Sequence, residues 1–257
     1  MLHAYVIQSS LRQYFSVRRM LPWLVLGIAA AGMGLIWTTL SPGAETMERY
    51  SSVSTMLVYR IMVLAAAIFA TSIVSQEVEQ KTIVYLLTRP IPRASLIISR
   101  YLAAALSVAA IGAFGALALG FAVFGPGALQ EGQIWRDLGA LTLGAFSYCA
   151  LFLLVTLLIN RAMTVCLLFA FGWETTIPSM PGSMYRLSIQ SYLQGFAKHP
   201  VQDAESPLAK MLGLGEGVAS LTPFASAATL IVFTGVVLGV CAWWFSTFEY
   251  VPREDAE

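Results

Sequence analysis

Two charged residues, Arg60 and Glu174, stand within long apolar stretches of the chain. Charged side chains inside a membrane tend to face the interior of a helix bundle and to pair with one another. Counted from the nearer end of each stretch, their depths differ by only about 5 Å, given the rise of a helix per residue. We therefore hypothesise that Arg60 and Glu174 form an intramembrane pair that lines or gates an outward cavity. In the alternative, Arg60 extends to the lipid headgroups and Glu174 ends a short helix.

The sequence carries few other residues that could perform covalent chemistry. It contains no phosphate-binding loop of the form Gly-x-x-x-x-Gly-Lys-Ser/Thr, and neither His-Glu-x-x-His nor Cys-x-x-Cys, the strong zinc patterns. The histidines, His3 and His199, lie outside the apolar stretches, so no histidine base stands at membrane depth. The three cysteines fall in apolar runs and are predicted to be buried rather than disulfide-bonded. We expect a chain that is not an enzyme, with no catalytic residues and no cofactor or metal of its own.

The composition indicates a chain that lies mostly in lipid. Of its 257 residues, 58% are hydrophobic and 11% are charged, and the formal net charge is +1. Soluble domains carry about 25% charged residues, because polar side chains must cover the core. This excludes a soluble enzyme, a nucleic-acid-binding protein and a disordered chain. The sequence therefore predicts an all-α polytopic membrane protein, with residues 1–257 forming a single transmembrane domain in the lipid bilayer.

Long uncharged stretches mark the membrane-spanning helices, each of which needs about 20 mostly apolar residues. Six transmembrane helices are predicted, over residues 20–44, 55–76, 101–130, 138–160, 162–180 and 217–248. Six spans place both termini on the same side of the membrane. Lysine and arginine identify that side, because they are enriched in cytoplasmic segments.

The lysines and arginines divide unequally between the two sides. The side with the termini carries nine of them: Arg12, Arg18, Arg19, Lys81, Arg89, Arg93, Arg100, Arg161 and Arg253. The other side carries five: Arg49, Arg136, Arg186, Lys198 and Lys210. Both termini are therefore predicted to be cytoplasmic.

Two further segments are predicted to lie outside the lipid core. Residues 1–19 have apolar side chains at helical spacing, which predicts an amphipathic interfacial helix; a plain surface helix is the alternative. Residues 181–223, between the fifth and sixth spans, are predicted to form a helical external segment. Within it, an amphipathic helix over 185–196 is expected to end at His199-Pro200.

Two stripes of small residues allow helices to pack closely. They are Gly112, Ala116 and Gly120 in the third span, and Gly235 and Gly239 in the sixth. We expect the stripes to pack within one helix bundle, with packing between subunits as the alternative.

The cytoplasmic segment between the second and third spans, residues 76–95, is too apolar to be a plain solvated loop. Glu77 and Lys81 have i,i+4 spacing, which supports a short helix. Pro90 and Pro92 prevent that helix from continuing. The apolar residues between them need a surface against which to bury, and the residues alone leave open whether that surface is lipid or another protein.

This cytoplasmic segment resembles the permease subunits of ABC transporters of the type-2 exporter family. Those proteins carry, after their second span, an acidic-x-acidic pair, a threonine, a Leu-Leu pair, and a proline followed by a basic residue. The matching residues here are Glu77, Glu79, Thr82, Leu86, Leu87, Pro90 and Arg93. Lys81 stands where the family often has glycine. The interfacial helix, the six spans and the external segment are also similar to the family's layout.

The resemblance implies that the segment is a coupling helix that docks on a separate ATP-binding subunit, which holds the ATP and magnesium. The residues implied in that contact are Glu77, Glu79, Lys81, Thr82, Tyr85, Leu86, Leu87, Arg89, Pro90 and Arg93. The chain would then be the permease subunit of an ATP-driven exporter in the inner membrane, paired with a second copy or with a related permease. The alternative is a mechanotransmitting or anchoring subunit, which passes ATP-driven motion to an external partner without moving substrate itself.

Overall fold

The structure, a computed structural model, describes residues 14, 16–40, 46–79, 93–159, 161–179, 184–199 and 221–247. These residues are almost entirely helical and contain no strand. The α-helices in chain order are α1 (Val17–Leu40), α2 (Thr46–Val53), α3 (Tyr59–Glu79), α4 (Arg93–Phe124), α5 (Gly132–Leu158), α6 (Ala162–Leu168), α7 (Glu174–Thr176), α8 (Ile189–Ala197) and α9 (Pro223–Thr247). Between them lie π-turns at Ser54–Val58 and Phe169–Trp173, and 3₁₀ turns at Gly125–Gln130, Ile177–Ser179 and Met184–Leu187. The prediction of an all-α polytopic membrane protein is confirmed.

Within the described ranges, five helical runs are long and apolar enough to cross a membrane, by length and composition. They cover Arg19–Leu40, Thr46–Ile73, Ile97–Gln130, Gly132–Leu158 and Pro223–Thr247. A shorter apolar helix, Ala162–Thr176, corresponds to the fifth predicted span.

Two helical runs begin more than one and a half helical turns earlier than the sequence predicts. The second run begins at Thr46 and the fourth at Gly132, so Arg49 and Asp137 lie inside them. Both side chains are buried. The prediction placed these charges outside the membrane, because it began the second span at residue 55 and the fourth at residue 138.

Three helices, α3, α4 and α5, form the centre of the bundle, and each buries a row of alanines. Small side chains let the helix backbones come close together. A Cβ atom on Gly112 of α4 would lie 3.3 Å from Leu141 Cβ, and one on Gly120 would lie 2.5 Å from Ile134 Cδ1. The stripe in the third span therefore packs within the bundle, as predicted.

The edge of the bundle is formed by α1, which packs mainly on α4, and by α9, which packs on α5 and α8. Large apolar side chains on both helices are exposed, among them Leu21, Ile28, Ile231 and Val236. On α9, a Cβ atom placed on Gly235 or Gly239 would meet no atom of the described residues within 4 Å. The prediction that this second stripe packs within the bundle is therefore wrong.

One end of the bundle is covered by α8, and we call it the capped end. Leu193 of α8 is fully buried, and a Cβ atom on Gly144 of α5 would lie 2.8 Å from Leu193 Cδ1. Gly139 is similarly close to Phe196. The start of α5 lies at this end, whereas α3 ends and α4 begins at the opposite end. Glycine in α5 thus makes the space in which α8 lies against the bundle.

The two predicted segments outside the lipid are described only in part. Of residues 1–19, residues 1–13 and 15 lie outside the described residues, and Tyr14 packs its ring against Phe69 with centroids 5.6 Å apart. Of residues 181–223, the structure describes 184–199 and the two residues before α9. The predicted helix over 185–196 is divided at Ser188 into a 3₁₀ turn and α8.

Candidate functional site

Glu174, at the capped end, is a fully buried carboxylate. It accepts hydrogen bonds from the Ser188 hydroxyl at 2.5 Å and from the main-chain N–H groups of Ile189 and Gln190, each at 3.1 Å. The first N–H groups of a helix have no partner within the helix, and they carry positive partial charge, so a carboxylate is stabilised there. The Ser188 side chain also caps α8 by accepting from the Ser191 N–H at 3.3 Å. Glu174 therefore fastens the first turn of α8 to the bundle.

Arg60, the predicted partner of Glu174, binds the main chain of the same turn. Its Nη1 donates to the Ala170 carbonyl oxygen at 3.3 Å and its Nη2 to the Glu174 carbonyl oxygen at 3.5 Å. Ala170 belongs to the π-turn Phe169–Trp173. The structure thus brings Arg60 to the backbone of Glu174, while the Glu174 carboxylate binds α8. A gating role for the pair stays a prediction.

A second buried carboxylate, Asp137 on α5, accepts hydrogen bonds from two residues and lies close to a histidine ring. Ser54 Oγ donates to Oδ2 and the Tyr59 hydroxyl donates to Oδ1, each at 3.1 Å. His199 Nε2 lies 2.7 Å from Oδ1, and both side chains are buried. The Tyr59 and His199 rings meet edge to face, with centroids 5.8 Å apart. A buried carboxylate is stable only with such partners, so these contacts hold His199, two residues past the end of α8, against α3 and α5.

The two buried carboxylates hold opposite ends of α8. Gln133 of α5, also buried, strengthens the second end by donating from Nε2 to the Ala197 carbonyl oxygen at 2.7 Å. The consecutive residues Tyr59 and Arg60 bind the residues that hold these two ends, since Tyr59 binds Asp137 and Arg60 binds the turn of Glu174. The start of α3 therefore lies between the two fastenings.

The contacts of the two buried carboxylates hold α8 in place. Among the described residues, no group of three His, Cys, Asp or Glu side chains could hold a metal ion. Cys149, Cys166 and Cys241 are all buried and free. The described polar residues can fix the position of α8, or release it.

A family model described as ABC-2 family transporter protein matches residues 17–177. This range is more than half of the chain, and it includes Arg60, Asp137 and Glu174. The chain belongs to the ABC-2 transporter family. Members of the ABC-2 family are membrane components without catalytic activity of their own, and they normally partner with an ABC ATPase subunit. The chain is accordingly a multi-pass membrane permease component of an ABC transporter. No curated protein matches the chain.

The ABC-2 match also spans every residue of the predicted ATPase contact. Glu79 is the last residue of α3, with Glu77 in the same turn, and Arg93 is the first residue of α4. Their side chains lie outside the described part of the chain. The other predicted contact residues lie wholly outside it: Lys81, Thr82, Tyr85, Leu86, Leu87, Arg89 and Pro90. The predicted docking role of this segment stays a prediction.

Sequence reasoning missed the cluster around Asp137 in this ABC-2 permease. The predicted fourth span begins at residue 138, directly after Asp137, and the predicted external helix ends at His199-Pro200. The sequence does contain a sign that the fourth span begins before Asp137, because Ile134 and Trp135 continue the apolar pattern on its amino-terminal side. His199 offers no such signal, since its partner is distant in the chain.

Proposed function

We propose that the chain is the transmembrane permease subunit of an ATP-driven ABC exporter, and that a separate subunit hydrolyses the ATP. In this proposal the protein lies in the inner membrane with both termini in the cytoplasm, and the capped end faces outward. A second permease subunit, identical or related, completes the translocation path.

The observation that carries the proposal is the ABC-2 family match over residues 17–177, because it contains the whole charged segment between α3 and α4. That segment joins two membrane helices at the end of the bundle opposite α8. A contact there with an ATPase would leave the capped end free for substrate. The residue types support docking too, since Glu77 and Glu79 supply charge, and Tyr85, Leu86 and Leu87 supply apolar anchors.

The mechanism follows from where this segment connects. When two nucleotide-binding subunits close on ATP, a segment held in each of them moves with its subunit. Because the segment is continuous with α3 and α4, its movement tilts helices at the centre of the bundle. The start of α3 carries Tyr59 and Arg60, which bind the two residues that hold the ends of α8, Asp137 and Glu174. ATP binding would in this way shift the population between inward-open and outward-open states.

Charge reversal at Glu77 and Glu79 tests the ATPase contact. The double variant Glu77→Lys, Glu79→Lys is expected to lose an ABC ATPase that co-purifies with the wild-type permease from native membranes. Like charges placed across an interface cost several kcal/mol, so the recovered ATPase should fall about tenfold or more. Recovery is measured as ATP hydrolysis and by mass spectrometry of the purified complex.

The matched control is Glu131→Lys, which reverses an exposed carboxylate at the capped end. This control should retain the ATPase. Undiminished assembly of the double variant would exclude these two residues from the contact, and a wild-type preparation with no ATP-binding protein would refute the proposed function itself.

A further inference from the structure

The two ends of α8 are fastened by different kinds of contact. At its start, the Glu174 carboxylate binds main-chain N–H groups of the helix itself. At its end, the Gln133 side chain donates to the Ala197 carbonyl oxygen at 2.7 Å, and the other contact joins two side chains, with His199 Nε2 lying 2.7 Å from Asp137 Oδ1. Almost any residue type can supply a main-chain N–H group to such a contact. A contact between two side chains depends instead on the rotamer of each partner.

The two ends of α8 also differ in which polar groups would lose their partners if that end separated from the bundle. If α8 moved away from Glu174, a buried carboxylate and two N–H groups would lose their partners, and buried polar groups without partners are costly. Asp137 would keep two donors after losing His199, because Ser54 and Tyr59 belong to the bundle. Release of the second end would also separate the Gln133 amide from the Ala197 carbonyl oxygen, which it binds at 2.7 Å. Because that bond joins two uncharged groups, whereas release at Glu174 leaves a buried carboxylate without its donors, release of the second end is the less costly of the two.

Backbone strain favours release at that same second end. Lys198 ends α8 with φ of 54°, and no other residue except glycine has positive φ in the described part of the chain. Its neighbour His199 donates its N–H to the Gln194 carbonyl oxygen at 3.4 Å, a helix ending in which glycine is usual at the left-handed position. The left-handed conformation is higher in free energy for a residue with a Cβ atom than for glycine. While His199 contacts Asp137, Lys198 is therefore held in the strained left-handed conformation.

We propose that α8 is a hinged cap, which stays attached at Glu174 and releases from Asp137 when the capped end opens. Asp137 and His199 form the latch, as positioning residues that set where the end of α8 lies. This inference rests on the proposed function, because an exporter needs an outer end that opens. It deepens that function by assigning the opening to one end of one helix.

Cysteine reactivity at the two ends of α8 tests the hinge and the latch. Ser191→Cys reports on the attached end and Ala197→Cys on the releasing end, and both native residues are fully buried. Each variant of the full chain, in membranes, is treated with N-ethylmaleimide, which crosses bilayers and so reports opening at either face. The parent chain, with its three buried native cysteines, supplies the blank. Position 197 should react several times faster than position 191.

Substitutions in the latch should change the rate at position 197 alone. Adding His199→Ala removes a contact to a charged group, so labelling at 197 should rise about tenfold while labelling at 191 stays constant. Adding Lys198→Gly relieves the left-handed turn and should slow labelling at 197 by about fivefold. Lys198→Ala keeps the Cβ atom and removes the same exposed charge, so it should leave the rate unchanged.

Two results would overturn the hinged cap. Rates that rise together at 191 and 197 in the His199→Ala background would mean general loosening, and equal rates unaffected by Lys198→Gly would mean that the end of α8 does not open. The Lys198→Gly arm tests the proposal even where His199→Ala fails to fold. The assay contains neither nucleotide nor an ATPase, so its outcome is separate from that of the assembly experiment.

Discussion

At the scale of single residues, the buried carboxylates Glu174 and Asp137 decide where α8 lies. Each is removed from solvent, and each accepts bonds from several groups that belong to other elements. A buried charge that loses its partners is far more costly than an exposed one, so each of these residues fixes its partners in place. Polar residues therefore act together with the apolar contacts of Leu193 and Phe196 to fix the position of α8.

Removing the Glu174 carboxylate should destabilise the protein strongly. Glu174→Ala leaves the Ser188 hydroxyl and two main-chain N–H groups buried without an acceptor, which we expect to cost about 3 kcal/mol or more. The loss is measured as the midpoint of thermal unfolding with a thiol-reactive dye, because Cys149, Cys166 and Cys241 become accessible only on unfolding. Glu131→Ala, which removes an exposed carboxylate, should leave the midpoint unchanged. An equal midpoint for the two variants would show that Glu174 does not fasten α8.

At the scale of elements, the charge that ends an apolar stretch is a poor guide to where a helix begins. The sequence located all the long helices, because each needs a long uncharged core whatever its boundaries are. It missed the buried start of α5, because Asp137 is compensated by Tyr59 and His199, which no local pattern connects to it. The similar depths of Arg60 and Glu174 in their apolar stretches predicted that the two residues lie close together. Depth alone does not tell whether the guanidinium binds a carboxylate or a carbonyl oxygen.

The packing of α8 on α9 makes a further element-scale prediction. A Cβ atom on Gly195 would lie 2.7 Å from Leu221 Cβ, which cannot move without its backbone, whereas one on Gly235 would meet no described atom within 4 Å. Gly195→Ala should therefore cost about 1–3 kcal/mol through overpacking. Gly235→Ala makes the same chemical change where space is open, so it should not lower the unfolding midpoint. Equal effects in the dye assay would contradict the close contact of α8 with α9.

At the scale of the whole molecule, tryptophans and charges agree on how the bundle lies in the bilayer. Trp135 lies near the capped end and Trp243 near the opposite end, and both are more than half exposed. Exposed tryptophans are typical of the two membrane interfaces. The lysines and arginines that the sequence assigns to the side of the two termini also outnumber those that it assigns to the other side, nine against five. Together these features predict that the capped end faces away from the cytoplasm.

Single cysteines at the two ends test this orientation directly. Gln130 lies at the capped end and Thr247 at the end of α9, and both side chains are exposed. A membrane-impermeant maleimide added to intact cells should label Gln130→Cys within minutes and should label Thr247→Cys only after the membrane is permeabilised. The three native cysteines are buried, so the unsubstituted chain supplies the background. The reverse pattern would place the segment between α3 and α4 outside the cell, where no ATPase could hold it, and the proposed coupling would then be impossible even though the helix bundle itself would be unchanged.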